Sequence, residues 1–286
     1  MKKSALFKWL SCTGQILPQL LLVIVSCSHK GAVNDLVPGI YIQNQDKDSS
    51  SLELVWQDNF DGAELDSGNW THVPQGGSNW NDQMTDKDDR CFAIKNGKLH
   101  LKGIRNVDNP ADTRPYLTGG IYSRGKFAFQ YGKVEIRAKL GSAQGAWPAI
   151  WMMPEKMIYG RWPKSGEIDI MEHLNFDDSV YQTIHSYYTQ ELNRKDNPPH
   201  YGKVALKPGV FNTYALEWYP DKLVFMLNGN VTFTYPKIEG ADSTQWPFDQ
   251  PFYIIISQQL GGNWVGDVDL HHLPVDMEVD WVRVYQ

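Results

Sequence analysis

From Leu52 onward the chain is written in short runs that alternate apolar and polar residues and are cut by turn signals. Lys98-Leu99-His100-Leu101-Lys102, Lys133 to Leu140, Leu223 to Leu227 and Val279 to Tyr285 are the clearest runs. Period-two alternation buries one face of a strand and wets the other. Asn96-Gly97, Gly119-Gly120, Asn228-Gly229 and Gly261-Gly262 punctuate the runs, and Asn-Gly between alternating segments favours a tight hairpin. No segment carries a long apolar stripe of helical period, and no internal repeat is visible. So many strands in one span, residues 52–286, predict a single all-β domain built as a two-sheet sandwich.

The N-terminus reads differently. Lys2, Lys3 and Lys8 precede an apolar run from Ile16 to Val25, the layout of a secretory signal. Pro18 and the short run argue against a membrane-spanning helix. Ser26 before Cys27 resembles a bacterial lipoprotein signal. Residues 1–26 are therefore expected to be removed, with Cys27 lipidated as the new N-terminus and residues 27–51 forming a solvated tether. The expected location is the cell envelope of a Gram-negative bacterium, at the outer membrane or cell surface, with membrane contact only through the lipid. Removal takes three lysines and no acid, moving the formal charge from −6 to −9. That charge argues against nucleic acid as a partner. Of the three cysteines only Cys91 would remain as a free thiol, which excludes an internal disulfide and a cysteine metal cluster. A monomer is expected.

The chemistry concentrates in Ser165-Gly166-Glu167-Ile168-Asp169-Ile170-Met171-Glu172-His173. On a strand, Glu167 and Asp169 share a face while Ile168 and Ile170 point to the core. Glu172 falls on the wrong face unless one extra residue, a β-bulge near Met171, turns it back. Three aligned carboxylates repel one another and raise at least one pKa, a costly arrangement if it serves structure alone. It suits retaining glycoside hydrolysis, in which one carboxylate attacks the anomeric carbon and a second protonates the leaving oxygen. A wet acidic face or a calcium site is the structural alternative. The surroundings favour a sugar site: aromatic residues make up 13% of the chain, and several flank the acids. Trp147, Trp162 and Trp264 are assigned to the cleft, with Trp151 divided between cleft and core.

Gly145–Trp151, Gly166–Glu172, Gly261-Gly262-Asn263-Trp264 and the terminal Val279–Tyr285 together resemble glycoside hydrolase family 16, in order, across the domain. The E-x-D-x-x-E spacing resembles its laminarinase-like branch. The resemblance implies a β-jelly roll of two curved antiparallel sheets with a concave cleft, and retaining, endo-acting hydrolysis without a catalytic cofactor. Glu167 would be the nucleophile, Asp169 its helper and Glu172 the acid/base. It also implies His185 beside the acids and Asn79 and Asn81 on a sugar-contacting loop. Arg137 is read as orienting a carboxylate or merely sitting wet. A structural calcium near Gly97 and Asp280 is a further implied possibility, although calcium needs six to eight oxygens.

The expected partner is an oligo- or polysaccharide or the glycan of a glycoprotein. Glucanases of this branch carry an Asn-Glu-Leu-Gln-like run in the first cleft loop, where this chain has Trp80-Asn81-Asp82-Gln83-Met84. Tyr181–Tyr188 and Lys195–Tyr201 are more similar to lipoprotein members that cut galactose-containing host glycans. Cleavage of internal β-1,4-galactosidic bonds in poly-N-acetyllactosamine of mucin O-glycans is therefore expected. An endo-β-1,3(4)-glucanase and a non-catalytic jelly-roll sugar binder stand as alternatives.

Overall fold

The computed structural model describes residues 40–43, 51–107 and 111–286. The expected signal, Cys27 and most of the expected tether lie outside the described residues. The strands begin with β1 (Ile40–Gln43), β2 (Leu54–Asp58), β3 (Thr71–His72), β4 (Phe92–Ile94), β5 (Leu99–Arg105) and β6 (Tyr116–Thr118). Next come β7 (Gly120–Tyr122), β8 (Phe127–Gln130), β9 (Gly132–Leu140), β10 (Ala146–Pro154), β11 (Glu167–His173) and β12 (Ser179–His185). A four-residue helix α1 (Tyr187–Gln190) leads to β13 (Tyr201–Ala205), β14 (Phe211–Trp218), β15 (Lys222–Leu227), β16 (Asn230–Pro236), β17 (Phe252–Leu260) and β18 (Val275–Tyr285).

Two nine-stranded sheets form the jelly-roll sandwich. The first has the order β1-β8-β17-β10-β11-β12-β13, with β7 also on β17 and β3 on β7. The second has the order β16-β15-β14-β9-β18-β5-β4, with β2 on β18 and β6 on β5. Pairing is antiparallel except that β1 runs parallel to β8, Ile40 opposite Phe127. Ile40-Tyr41-Ile42, inside the expected tether, is rich in residues that favour extended backbone, and it joins the sheet edge.

The two Asn-Gly signals are hairpin turns. Asn96 and Gly97 (φ 54° and 64°) join β4 to β5, and Asn228 and Gly229 (φ 51° and 79°) join β15 to β16. The left-handed backbone at both central positions matches the twist of the flanking strands. Alternation holds cleanly on β9, where Val134, Ile136, Ala138 and Leu140 are buried and the residues between them are half-buried. Those four meet Ile168, Ile170, Met171, Ile254 and Ile256 from the opposite sheet in one core.

Alternation fails on β17, where all nine residues are buried. Its outward side chains, including Tyr253 and Ile255, lie under a second apolar cluster with Trp151, Ala149, Val73 and Met84. The outer face of the first sheet is therefore covered, and that cover builds the site. Among the described residues no helix is long and apolar enough to cross a membrane.

Candidate active site

Strand β11 lies between β10 and β12, and its register defines the site. Glu167 pairs with His185 and Asp169 with Thr183, but Glu172 pairs with Tyr181. Three residues of β11 thus span two of β12, so one extra residue is present at Ile170/Met171. On the other side Met171 pairs with Ile150 and Asp169 with Trp151, which leaves Ile170 unpaired. Ile168, Ile170 and Met171 are all buried in the core. Two consecutive core-directed residues are what returns Glu172 to the outward face. Glu167, Asp169 and Glu172 then line one cleft of about 840 Å³.

The cleft walls come from neighbouring strands with the same outward phase. Strand β10 gives Trp147, Ala149, Trp151 and Met153, β12 gives Tyr181, Thr183 and His185, and β17 gives Tyr253, Ile255 and Gln259. Trp147 donates its indole N–H to Glu172 Oε1 at 3.0 Å. Trp162, on the loop before β11, donates its indole N–H to Glu167 Oε2. Each glutamate therefore has its own indole donor. Trp264 stands edge-on to Trp147, with ring centroids 5.7 Å apart, and meets Tyr181 at 5.3 Å. Trp80 meets Trp151 edge-on at 4.8 Å, and Trp151 donates to Ser257 Oγ at 3.2 Å. Trp162 and Trp264 remain about half exposed, 49% and 47%, so their faces are available to a ligand.

Asp169 and Glu172 are 3% and 7% exposed, and burial disfavours a charged carboxyl. Burial pushes Glu172 well above the usual carboxylate range and Asp169 adds to the shift, while His185 and the Trp147 indole oppose it. Burial also raises Glu167, to about 7, again with Asp169 adding and His185 opposing. His185 is disfavoured as a cation by its own burial, but the charges of Glu167 and Asp169 outweigh this and raise it to about 9. Its Nε2 lies 3.0 Å from Asp169 Oδ2, and its Nδ1 lies 2.6 Å from Gln190 Nε2. Helix α1 brings Gln190 back toward β12, started by the reciprocal Ser186 and Thr189 capping bonds. The row thus joins a glutamate of raised proton affinity, Glu172, to a histidine beside Asp169 that favours its cation.

The other sequence-derived positions separate. Asn79 lines the cleft, whereas Asn81 does not. Asn81 braces its own loop, its Oδ1 accepting from the Ser78 amide at 3.1 Å. Arg137 lies on β9 in the opposite sheet, pairs with Asp280 and covers the Phe211 ring at 4.5 Å, so it orients no cleft carboxylate. Asp280 is committed to Arg137 and faces Lys98 at 3.7 Å, and this cationic donor set does not suit calcium near Gly97. Two groups among the described residues bring three ligating side chains within 4.8 Å of one another: Glu167, Asp169, His185 and His100, Asp276, Glu278. Glu278 of the second is held by Lys139. Trp80, Tyr181, Thr183, Gln190 and Gln259 were not anticipated. The phase of β12, odd positions from His185 backward, was the available signal for Tyr181 and Thr183.

Buried carboxylates with separate proton affinities, set among indoles on the face of a β-sandwich, define a protein that works on carbohydrate. Residues 77–283 match the glycosyl hydrolases family 16, and the chain belongs to that family. It is 38% identical over 245 residues to a keratan-sulfate endo-1,4-β-galactosidase of Sphingobacterium multivorum, a match covering 83% of this chain and 56% of that protein. This chain therefore spans little more than half the length of that relative. The laminarinase structure from Rhodothermus marinus superposes with a TM-score of 0.75 at 34% identity, covering 82% of this chain and 97% of the other. A structure described with the endo-acting O-glycanases by which members of the human gut microbiota initiate mucin breakdown gives 0.70 at 28% identity, covering 81% and 98%.

Proposed function

We propose that this protein is a retaining endo-β-glycosidase that cuts internal β-1,4-galactosidic bonds in poly-N-acetyllactosamine chains, including those of mucin O-glycans. The observation that carries the chemistry is the bulged row that puts Glu167, Asp169 and Glu172 on one outward face. Glu167 attacks the anomeric carbon as Glu172 passes its proton to the glycosidic oxygen, releasing the leaving saccharide. Glu172, now a base, takes a proton from water as the water attacks the same carbon, which frees Glu167. Raised proton affinity favours the protonated form of Glu172, and the nearby His185 cation and Trp162 donor favour the ionised Glu167 needed for attack. Asp169, paired to His185, sits between the two and tunes both.

The galactoside reading is supported by similarity to the Sphingobacterium galactosidase and to the O-glycanase structure. Similarity to the Rhodothermus laminarinase supports the second reading, an endo-β-1,3(4)-glucanase. Separate incubation with mucin O-glycans, keratan sulfate, laminarin and mixed-linkage glucan distinguishes them. Oligosaccharide release from the first two is expected, and release from laminarin alone refutes the galactoside reading. A sugar binder without catalysis would release nothing from any of them.

The chain is further proposed to be a lipoprotein anchored through Cys27, on the strength of the N-terminal pattern. Palmitate labelling in cells should mark the wild type and not Cys27→Ser.

A further inference from the structure

We infer that Tyr201 is a substrate-binding residue: its ring is a stacking platform for a sugar of the bound glycan that lies away from the reacting bond, at the rim of the sheet. The inference rests on the reading that this cleft binds glycans, and it names where the chain continues beyond the carboxylates.

The register of the first sheet sets the position. Asp169 stands opposite Thr183, and Thr183 stands opposite Tyr201. All three side chains line the cleft. Tyr201 is therefore two strands away from the carboxylate row, about 10 Å at Cα. A ring at that remove meets a more distant unit of the chain than the sugar held between Glu167 and Glu172. The short Thr183 side chain puts no bulk between Asp169 and the tyrosine. Strand β13 is the last of the sheet, so Tyr201 stands at its rim.

Exposure and bracing set Tyr201 apart. It is 52% exposed, whereas Thr183 beside it is buried. Edge strands are commonly blunted with charge, so a large aromatic side chain half open to water on such a strand asks for an explanation. The backbone beneath it is fixed. A Cβ on Gly202 would lie 2.7 Å from Phe233 Cβ, so β13 packs tightly against β16 of the opposite sheet. The Ile184 amide donates to the His200 carbonyl at 2.8 Å. The His200 and Tyr201 rings meet edge to face, with centroids 5.2 Å apart, and His200 Nδ1 lies 3.1 Å from the Lys195 carbonyl oxygen. A tyrosine braced in this way loses little freedom when a ligand covers it, which favours binding. The C–H face of a pyranose is the matching surface, apolar against the ring and wet at its edge.

The test uses the full chain with Glu167→Gln, which stops turnover and leaves binding to be measured. Calorimetry is run with di-, tetra- and hexasaccharides of N-acetyllactosamine and with laminari-oligosaccharides of the same lengths. Adding Tyr201→Ala should raise the dissociation constant of the hexasaccharide roughly fivefold or more, with the smallest rise for the disaccharide. Tyr201→Phe should bind as the parent does. Tyr201→Leu, which keeps apolar bulk without a ring, should resemble Tyr201→Ala. An unchanged hexasaccharide constant in Tyr201→Ala overturns the inference. An equal loss at every length also overturns it, since it would assign Tyr201 to the framework or to the reacting sugar. So does a loss in Tyr201→Phe as large as that in Tyr201→Ala, because the ring would then not be the platform. Parent binding of the laminari-oligosaccharides alone would refute the galactoside reading, while the Tyr201 inference is still decided on that series. Binding of neither series would overturn both.

Discussion

Strand β9 carries four charged residues on its outward face and β11 carries three, and the two rows have opposite physics. On β9, Lys133 meets Glu135 at 2.8 Å, Arg137 pairs with Asp280, and Lys139 pairs with Glu278. Every one of these groups is partly exposed, and each charge has an opposite partner. Pairs of this kind contribute about 0–1 kcal/mol each. On β11 the three charges are alike and largely buried, and their partners are indole donors and one histidine. The β9 row is a soluble surface, whereas the β11 row stores unfavourable charge where it can be used.

The largest effect should come from breaking the β11 row. Glu167→Gln or Glu172→Gln should lower kcat on the preferred glycan by about 10³-fold or more, measured by reducing-end release. Arg137→Gln on β9 should leave kcat unchanged in the same assay.

His185→Gln comes next. The His185 cation favours ionised Glu167, so its removal raises the Glu167 pKa. The acid limb of the kcat/KM profile should therefore move to higher pH, with a loss of about tenfold or more near pH 6. Trp162→Phe removes the donor to Glu167 and should shift the same limb in the same direction by less.

Stability should show the reverse of activity. The folded state raises the Glu172 pKa, so it binds a proton more tightly than the unfolded chain does. That contribution is fully present below the unfolded value near ~4.3 and is lost as pH rises toward the folded value. Glu172→Gln escapes this loss, so its Tm advantage over wild type should be larger at pH 8 than at pH 5. The smallest effect is expected on β9: Lys139→Gln should change stability by less than about 1 kcal/mol at any pH in that range.

The contrast also marks what the sequence could reveal. Alternation and Asn-Gly turns made the β5, β9, β15 and β18 strands legible, because each has one wet face. The bulge was legible because Glu172 stood one position out of phase with Glu167 and Asp169. Strand β17 was less so, since both of its faces are buried and Ser257-Gln258-Gln259 carries no alternation. Arg137 stayed open between orienting a carboxylate and sitting wet for a physical reason: a charged residue at an outward strand position looks the same whichever sheet it belongs to. Asn79 and Asn81 could not be told apart either, because two residues of one loop differ only in whether the side chain turns toward the cleft or into its own turn. Gln259 left no mark at all, as its place in the cleft wall exists only once the strands are assembled.

The central claim, that Glu167 and Glu172 act as nucleophile and acid/base in two displacements, is tested most directly by the anomeric configuration of the first product. Proton NMR in the opening minutes of cleavage should show the β-anomer of the newly formed reducing end, followed by slower appearance of the α-anomer. Initial appearance of the α-anomer would contradict the account, because it would require a single inverting displacement by water.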